Sequence, residues 1–296
     1  MGARHRTAMR FSRLSLFHVI NAAFFALYCF TIFWVVWQTI ITSVSPELDN
    51  NTVAIRFWPR HIAFGAYQQI WSHAGLGPAF FNNVYITIAG TVTHVVLCAL
   101  AGYALIKPIF RLKQTILTII VFTMIIPGQL VMIPSFMLYR DLGLINNLNA
   151  LVVSGMVSGF SIILMRNYFL SIPPSLSESA RIDGASELGI LFRVYVPISA
   201  PGFATIIMLQ MIAKWNTFYE AVLYIQSAPI QPLQTALYNI LNSITTMAQT
   251  GTNFVNIYGQ NVVSAAIIVA MLPLMVAYPF IQRYLVKGML VGAVKG

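Results

Sequence analysis

The feature that most constrains the fold of this chain is a series of six apolar runs, each about as long as a helix that crosses a bilayer. A crossing helix needs about 20 mainly apolar residues, and it must satisfy its own backbone polar groups because lipid cannot. Only 8% of the 296 residues are charged, against about 25% in a soluble domain. We therefore predict an all-α integral membrane protein with a single transmembrane domain over residues 1–296. The predicted spans lie near residues 15–42, 83–106, 115–138, 147–170, 194–213 and 262–282.

The basic residues are distributed unevenly over the segments between these runs. With the N-terminus placed inside, 13 of the 17 Lys and Arg residues fall on the inner side, as expected for a cytoplasmic N-terminus. Both termini and residues 173–197 are then cytoplasmic, and residues 43–81 and 215–261 form long external loops. The formal charge of +10 is therefore an orientation signal rather than a nucleic-acid patch. A signal peptide is the competing interpretation of the N-terminus, but its apolar run is too long and no cleavage site ends it cleanly.

The stretch 173–197 is the longest strongly polar run between two predicted spans. It opens with two prolines, which stop a preceding helix, and Ser175 with Glu178 has the S-x-x-E spacing of a capping box. Asp183-Gly184 is a turn signal because glycine accepts a positive φ and aspartate tolerates it. The pattern predicts a helix, a turn and a second short helix. On spacing alone, a plain solvated loop is an equally good interpretation.

The residues of this stretch resemble the signature E-A-A-x3-G-x9-I-x-L-P of the membrane subunits of ATP-binding-cassette (ABC) importers. Glu178-Ser179-Ala180, Gly184 and Pro197 match it, and Ser179, Val194 and Val196 are small or conservative changes. In that family the stretch forms the coupling helices, which dock into a cleft on the cytoplasmic ATPase subunit. The resemblance therefore implies a six-helix permease of the type I ABC importer fold.

The resemblance covers about residues 82–296 and is greatest for the carbohydrate importers. The final residues 287–296 are similar to the tail of the maltose-type second permease subunit, which inserts between two ATPase subunits. That ending and the long 215–261 loop are closer still to the branch that imports larger oligosaccharides, including the alginate importer. The ATPase-coupling residues implied by the resemblance are Glu178, Ser179, Ala180, Asp183, Gly184, Pro197, Lys295 and Gly296.

The function that the resemblance implies is import of oligosaccharides, with acidic, alginate-like ones included, by ATP-driven alternating access in a bacterial cytoplasmic (inner) membrane. The implied partners are a second, different permease subunit, two ATPase subunits, an external solute-binding protein, the oligosaccharide and membrane lipid, with no nucleic acid. No glycine is followed by lysine, so a Walker A sequence is absent. We expect no cofactor on this chain, with ATP and magnesium on the partner ATPase subunits, and no enzyme active site or metal site.

Polar and aromatic residues near the span ends form a candidate sugar path. Sugars stack on aromatic faces and bond to amides and carboxylates, and Trp215 and Tyr219 would share a face if that end is helical. Lys214 beside them would suit an acidic sugar. The alternative is an aromatic belt at the membrane surface. The substrate-path candidates are Asn83, Gln129, Trp215, Asn216, Tyr219 and Glu220.

Two other functions stay open at this point. One is an ABC importer permease for a non-sugar solute, such as a peptide or polyamine, and the other is an ATP-independent channel or carrier subunit. No acidic residue lies in the middle of a predicted span, which argues against an ion-coupled carrier. Gly155 and Gly159 have the GxxxG spacing of close helix packing, and His94 in the second span is expected to have a structural or lumen-facing role rather than a ligand role.

Overall fold

The computed structural model describes residues 16–46, 57–72, 75–107, 112–250 and 259–293. The predicted all-α fold is confirmed, since the regular structure in these ranges is helical. The α-helices are α1 Leu16–Ser43, α2 Gly65–Ser72, α3 Leu76–Ile106, α4 Lys113–Ile125, α5 Met132–Asp141, α6 Leu148–Val153, α7 Gly159–Leu170, α8 Pro174–Ile182, α9 Glu187–Ile190, α10 Val196–Ile198, α11 Ala200–Trp215, α12 Tyr219–Tyr224, α13 Leu233–Thr250 and α14 Gln260–Ala293.

Three helices within the described ranges are each long and apolar enough to cross a membrane unbroken. They are Phe17–Ser43 in α1, the whole of α3, and Gln260–Pro279 in α14. Helix α3 begins at Leu76 rather than near residue 83, and Leu76 is fully buried. The predicted external segment 43–81 therefore contains helix α2 and the first turns of α3, not an extended loop.

The third predicted span is interrupted at its prolines. Helix α4 ends at Ile125, and Ile126 adopts an extended ψ of 118° because the ring of the following Pro127 disfavours the helical region for the residue before it. A 3-10 turn over Gly128–Val131 then leads into α5.

The fourth predicted span is interrupted between α6 and α7, where Gly155 has a φ of 64°. Gly155 and Gly159 therefore do not lie on one helix face as a GxxxG pair would. Gly159 alone gives the close packing, since a Cβ there would lie 3.1 Å from the carbonyl oxygen of Ile120 on α4. Small residues at such crossings let membrane helices approach each other closely.

The fifth predicted span is entered through a sharp bend. The segment Glu187–Ile198 makes an angle of 85° with α11. Pro197 has no amide hydrogen, so the carbonyl of Arg193 loses its usual i+4 donor. The turn before it, Leu191–Tyr195, widens into a π-helical turn, a local form that is common at functional sites.

Helix α3 is the centre of the bundle and packs against α6, α7, α11 and α13. At its C-terminal end, which is the predicted inner end, Gly102 brings α7 close, because a Cβ there would lie 3.1 Å from the backbone nitrogen of Arg166. At its N-terminal end, which is the predicted outer end, the core is formed around Trp215, with Leu76 and Leu233 fully buried beside it.

The predicted external loop 215–261 is largely helical within the described residues. Helices α12 and α13 occupy Tyr219–Tyr224 and Leu233–Thr250. Leu233 and Ile240 on α13 are buried in the core around Trp215. The prediction of a long polar loop is wrong for this part because its apolar residues recur at helical spacing and supply a buried face.

Candidate functional site

Residues 173–197, which are called the coupling stretch after the role that the resemblance implies, fold as the predicted helix, turn and helix. Helix α8 begins at Pro174 with Pro173 as its N-cap, and no side chain caps it. The predicted capping box of Ser175 and Glu178 is therefore wrong, because proline at the first helical position needs no amide partner. Gly184 makes the turn with a φ of 81°, as predicted.

Of the coupling residues predicted in this stretch, Glu178, Ser179, Asp183 and Gly184 are exposed, while Ala180 packs half-buried on the core below. Pro197 lies in α10 at the bend. Lys295 and Gly296 lie outside the described residues.

Glu187 is the best-connected polar residue of the coupling stretch, and the sequence argument did not single it out. Its Oε2 accepts a hydrogen bond from the Tyr103 hydroxyl at 2.9 Å and lies 2.6 Å from the Lys107 ammonium. Its Oε1 accepts from the Arg181 guanidinium at 2.7 and 3.2 Å. The Lys107 ammonium first, and the Arg181 guanidinium next, lower the pKa of Glu187 to about 2, so the carboxylate is ionised at neutral pH.

Aromatic rings pack next to this network. The rings of Tyr103 and Tyr195 meet edge to face at 5.1 Å, and Phe169 meets Tyr195 at 5.4 Å. Lys107 also lies 4.0 Å from the Tyr103 ring centre, within the range of a cation–π contact. The inner end of α3 is thereby joined to α7 and to the π-helical turn.

The coupling stretch exposes four large apolar side chains, which together are called its apolar surface. Ile182 is 87% exposed, and Leu176, Leu188 and Phe192 are exposed as well. Large apolar side chains grouped on a polar projection mark an interaction surface. This surface and the acidic residue Glu178 together have the properties of a docking site for another protein.

A second polar centre lies at the break in the fourth span. Lys214 at the end of α11 is only 5% exposed and donates to the carbonyls of Leu151 and Ser154. These are carbonyls that the end of α6 leaves without a helical donor, and a cation is favoured at that negative end of a helix. Gly90 on α3 makes room for the lysine, since a Cβ there would lie 2.8 Å from Lys214 Cε.

His94 completes this centre from α3. Its Nδ1 lies 3.0 Å from the carbonyl oxygen of Gly155, and its Nε2 lies 2.9 Å from the Ser161 hydroxyl. The Gln210 amide donates to the same carbonyl at 3.4 Å. These contacts are those of a structural residue, which is one of the two roles expected for His94. Gly155, Met156 and Val157 are exposed on the bundle surface. Irregular backbone is tolerated at membrane depth only where protein or a water-filled cavity surrounds it. This exposed break therefore needs one of these two neighbours.

The structure separates the predicted path residues into buried and exposed ones. Trp215 is 4% exposed, and its indole donates to the Ala270 carbonyl at 3.0 Å. Asn83 is fully buried and donates to the Trp215 carbonyl at 3.1 Å. Both residues therefore hold α3, α11 and α14 together.

The remaining candidates lie nearer the surface. Tyr219 is 72% exposed and Glu220 is half-buried in the first turn of α12. Asn216 is exposed, and its amide donates to the Ile212 carbonyl at 2.9 Å. The face predicted for Trp215 and Tyr219 does not form, because α11 ends at Trp215. Gln129 has its backbone in the 3-10 turn, and its side chain lies outside the described residues.

Glu187 had a signal in the sequence that went unused, because it is an acid six residues after Arg181 in a loop with only three acids. Lys214 was expected to suit an acidic sugar, but its side chain is buried and binds backbone carbonyls instead. A lysine at the end of an apolar run needs such a buried partner. Neither signal names the partner residue, because Tyr103 and Leu151 are far away in the sequence.

Comparison with known proteins places the chain among transport components. Residues 94–291 match the family described as binding-protein-dependent transport system inner membrane component. The chain is 33% identical over 277 residues to the polygalacturonan/rhamnogalacturonan transport system permease protein YtcP of Bacillus subtilis, covering 92% of this chain and 94% of that protein. It is 28% identical to the arabinooligosaccharides transport system permease protein AraQ of Halalkalibacterium halodurans, with the same coverage of 92% and 94%.

Among solved structures, the chain is similar to one chain of a bacterial ABC transporter involved in the import of the acidic polysaccharide alginate. The TM-score is 0.82 and the identity 30%, over 92% of this chain and 97% of that chain. The three comparisons therefore agree on a membrane-embedded subunit of a transport system.

Proposed function

We propose, because the chain belongs to the family of binding-protein-dependent transport system inner membrane components, that it is the permease subunit of an ABC importer that moves oligosaccharides. It is a multi-pass membrane protein and a transport component rather than an enzyme. The observation that carries the proposed cargo is the likeness to saccharide importers over 92% of the chain. The 30% identity to the importer of an acidic polysaccharide supports acidic oligosaccharides within that class.

The partners proposed for this subunit lie outside the cell, within the membrane and in the cytoplasm. Outside the cell, an external solute-binding protein delivers the oligosaccharide, as the family description implies. Within the membrane, a second and different permease subunit completes the passage. In the cytoplasm, two ATPase subunits carry ATP and magnesium, and one of them receives the exposed Ile182 and Leu188 of the coupling stretch.

The location proposed is the cytoplasmic (inner) membrane, with both termini in the cytoplasm. The positive-inside distribution of Lys and Arg supports this orientation. It also puts the coupling stretch on the side where ATP is available. The same orientation puts α12 and α13 on the outer side, where the binding protein would release its cargo.

The passage proposed runs past the break in the fourth span and the start of α12. The exposed backbone at Gly155 supports this placement, because irregular backbone at membrane depth lines cavities. Asn216 and Tyr219 are the exposed candidates at the start of α12. Trp215 and Asn83 act behind them as supports rather than as contacts to sugar.

The test is uptake of labelled oligosaccharide by the complete complex in proteoliposomes with the binding protein present. We expect Asn216→Ala and Tyr219→Ala to assemble normally and to reduce both uptake and sugar-stimulated ATPase activity. Tyr278→Ala is the control, because Tyr278 is an exposed aromatic residue of α14, a helix that contributes no candidate to the proposed passage. Unchanged uptake in both variants would remove this surface from the passage.

A neutral and an acidic oligosaccharide of equal length separate the cargo classes in the same assay. Transport of the acidic one alone supports an alginate-like cargo. Transport of neither, together with stimulation of the ATPase by a peptide or a polyamine, would contradict the proposed function.

A further inference from the structure

The two carboxylate oxygens of Glu187 contact two different parts of the molecule. Oε2 faces the bundle, where it is bonded to Tyr103 and Lys107 at the inner end of α3. Oε1 faces the other way and takes both donors of the Arg181 guanidinium, in the last turn of α8. One side chain thereby links the central helix of the bundle to both helices of the coupling stretch.

A short turn joins these two helices. Residues 183–186 lie between α8 and α9, and the amides of Gly184 and Ala185 donate to the carbonyls of Arg181 and Ala180 where the chain turns with a positive φ at Gly184. Beyond this turn, an ion pair between side chains bridges the two helices. Within the described residues, Arg181 and Glu187 form the ion pair that does so.

The ion pair of Arg181 and Glu187 affects the orientation of the coupling helices more than the folding free energy. The Glu187 side chain is 54% exposed, and exposed ion pairs add little to folding free energy. The fold beneath it is held by buried residues that do not need the carboxylate, including Phe169, Ile190 and Leu191. Loss of Glu187 should therefore loosen the coupling stretch and leave the bundle folded.

We propose that Glu187 is a positioning residue that transmits movement of the coupling helices to α3, an inference that rests on the proposed importer function. Helix α3 has 31 residues, so it is about 46 Å long at 1.5 Å per residue. Its inner end carries Tyr103 and Lys107, and its outer part carries Asn83, which supports the end of α11. A displacement of α8 and α9 by the ATPase thus reaches the proposed passage along one rigid helix. Glu187 itself lies among the unspecified positions of the signature motif.

The test is the number of oligosaccharides imported per ATP hydrolysed, measured on the complete complex in proteoliposomes with the binding protein. We expect Glu187→Ala to assemble, to keep hydrolysing ATP, and to lower this ratio about fivefold or more. Glu187→Asp, which keeps the charge on a shorter side chain, should recover part of the ratio. Asp141→Ala is the matched control, because it removes the exposed ion pair of Arg140 and Asp141 far from the coupling stretch.

A second variant asks whether Glu187 acts through α3. Tyr103→Phe removes one hydroxyl and keeps the aromatic packing, so it should lower the same ratio, and adding it to Glu187→Ala should cause no further loss. If Glu187→Ala fails to assemble, Tyr103→Phe alone tests the proposal. A lower number of oligosaccharides imported per ATP hydrolysed is then the expected result.

Two results would overturn the proposal. One is a wild-type ratio in Glu187→Ala. The other is a wild-type ratio in both Tyr103→Phe and Lys107→Met while Glu187→Ala is impaired, which would mean that Glu187 contacts the ATPase directly. A failure of the proposed function appears separately, as a wild-type complex that imports no oligosaccharide. Stimulation of the ATPase by the loaded binding protein then measures the same coupling in all variants.

Discussion

At Gly184 the backbone, not the available space, limits which residue the chain accepts. Its φ is 81°, and nothing lies within 4 Å of a Cβ built there. A residue with a side chain costs about 1–2 kcal/mol in this conformation. We therefore expect Gly184→Leu to assemble with its partners but to lose substrate-stimulated ATPase activity, measured on the reconstituted complex. Gly184→Asn is the control, because asparagine tolerates a positive φ. Wild-type stimulation in the leucine variant would refute this role.

A Lys214→Met variant tests whether the polar centre between α6 and α7 stabilises the fold. Lys214→Met keeps the length of the side chain and removes the ammonium that satisfies the carbonyls of Leu151 and Ser154. A buried polar group left without its partner costs about 1–3 kcal/mol. We expect a lower melting temperature of the purified subunit in detergent, and no such change for Lys113→Met at an exposed position. Equal melting temperatures for the two variants would contradict the assignment.

The residue types and their spacing predicted the functional class of this chain, but they did not predict the surroundings of each residue. The spacing of Glu178, Gly184 and Pro197 is local, so a motif can report it. The position of Trp215 is set by contacts with Phe80 and Ala270, which are more than 50 residues away along the chain. A tryptophan at a span end looks the same in sequence whether it anchors the surface or fills the core.

At the scale of helices, the crossing of α4 and α7 depends on one missing side chain. A Cβ on Gly159 would lie 2.8 Å from Met124 Cγ and 3.1 Å from the Ile120 carbonyl oxygen. The methionine can move, but the backbone oxygen belongs to a helix and cannot move alone. We expect Gly159→Ala to separate the two helices and lower the melting temperature, while Gly128→Ala, with open space around it, should leave it unchanged. A lower melting temperature in Gly128→Ala alone would reverse this interpretation.

Helix positions were predictable from sequence to within a few residues where a run is uninterrupted, as in α1. The interruptions were less so. Pro127 is a local signal for the break after α4, because its ring acts on the residue before it, but the predicted span 115–138 had no break there. The break before Gly159 had no such local cause. It exists because Lys214, His94 and Gln210 supply donors from other helices, and no window of sequence contains them.

At the scale of the whole molecule, apolar side chains are exposed along α1 and α4, including Phe24, Phe33, Phe122 and Ile125. In water such a surface would aggregate. In a bilayer it meets acyl chains or another apolar protein, which agrees with a subunit of a membrane complex.

The orientation of the molecule is testable by labelling with an impermeant thiol reagent in intact cells. In a Cys29→Ala, Cys98→Ala background, we expect Asn239→Cys on α13 to be labelled, because the positive-inside distribution predicts that α13 is external. Ser175→Cys on α8 and Gly296→Cys at the C-terminus should be labelled only after the cells are opened. Labelling of residue 175 or 296 in intact cells would reverse the topology.

The polar centre between α6 and α7 also bears on how the chain enters the membrane during synthesis. The ribosome adds Leu151 and Ser154 about 60 residues before Lys214. During that interval their carbonyls have neither helical donors nor the ammonium, and lipid supplies none. The fourth span is therefore expected to remain in the insertion machinery until the fifth has been made, so that the two enter the bilayer as one unit.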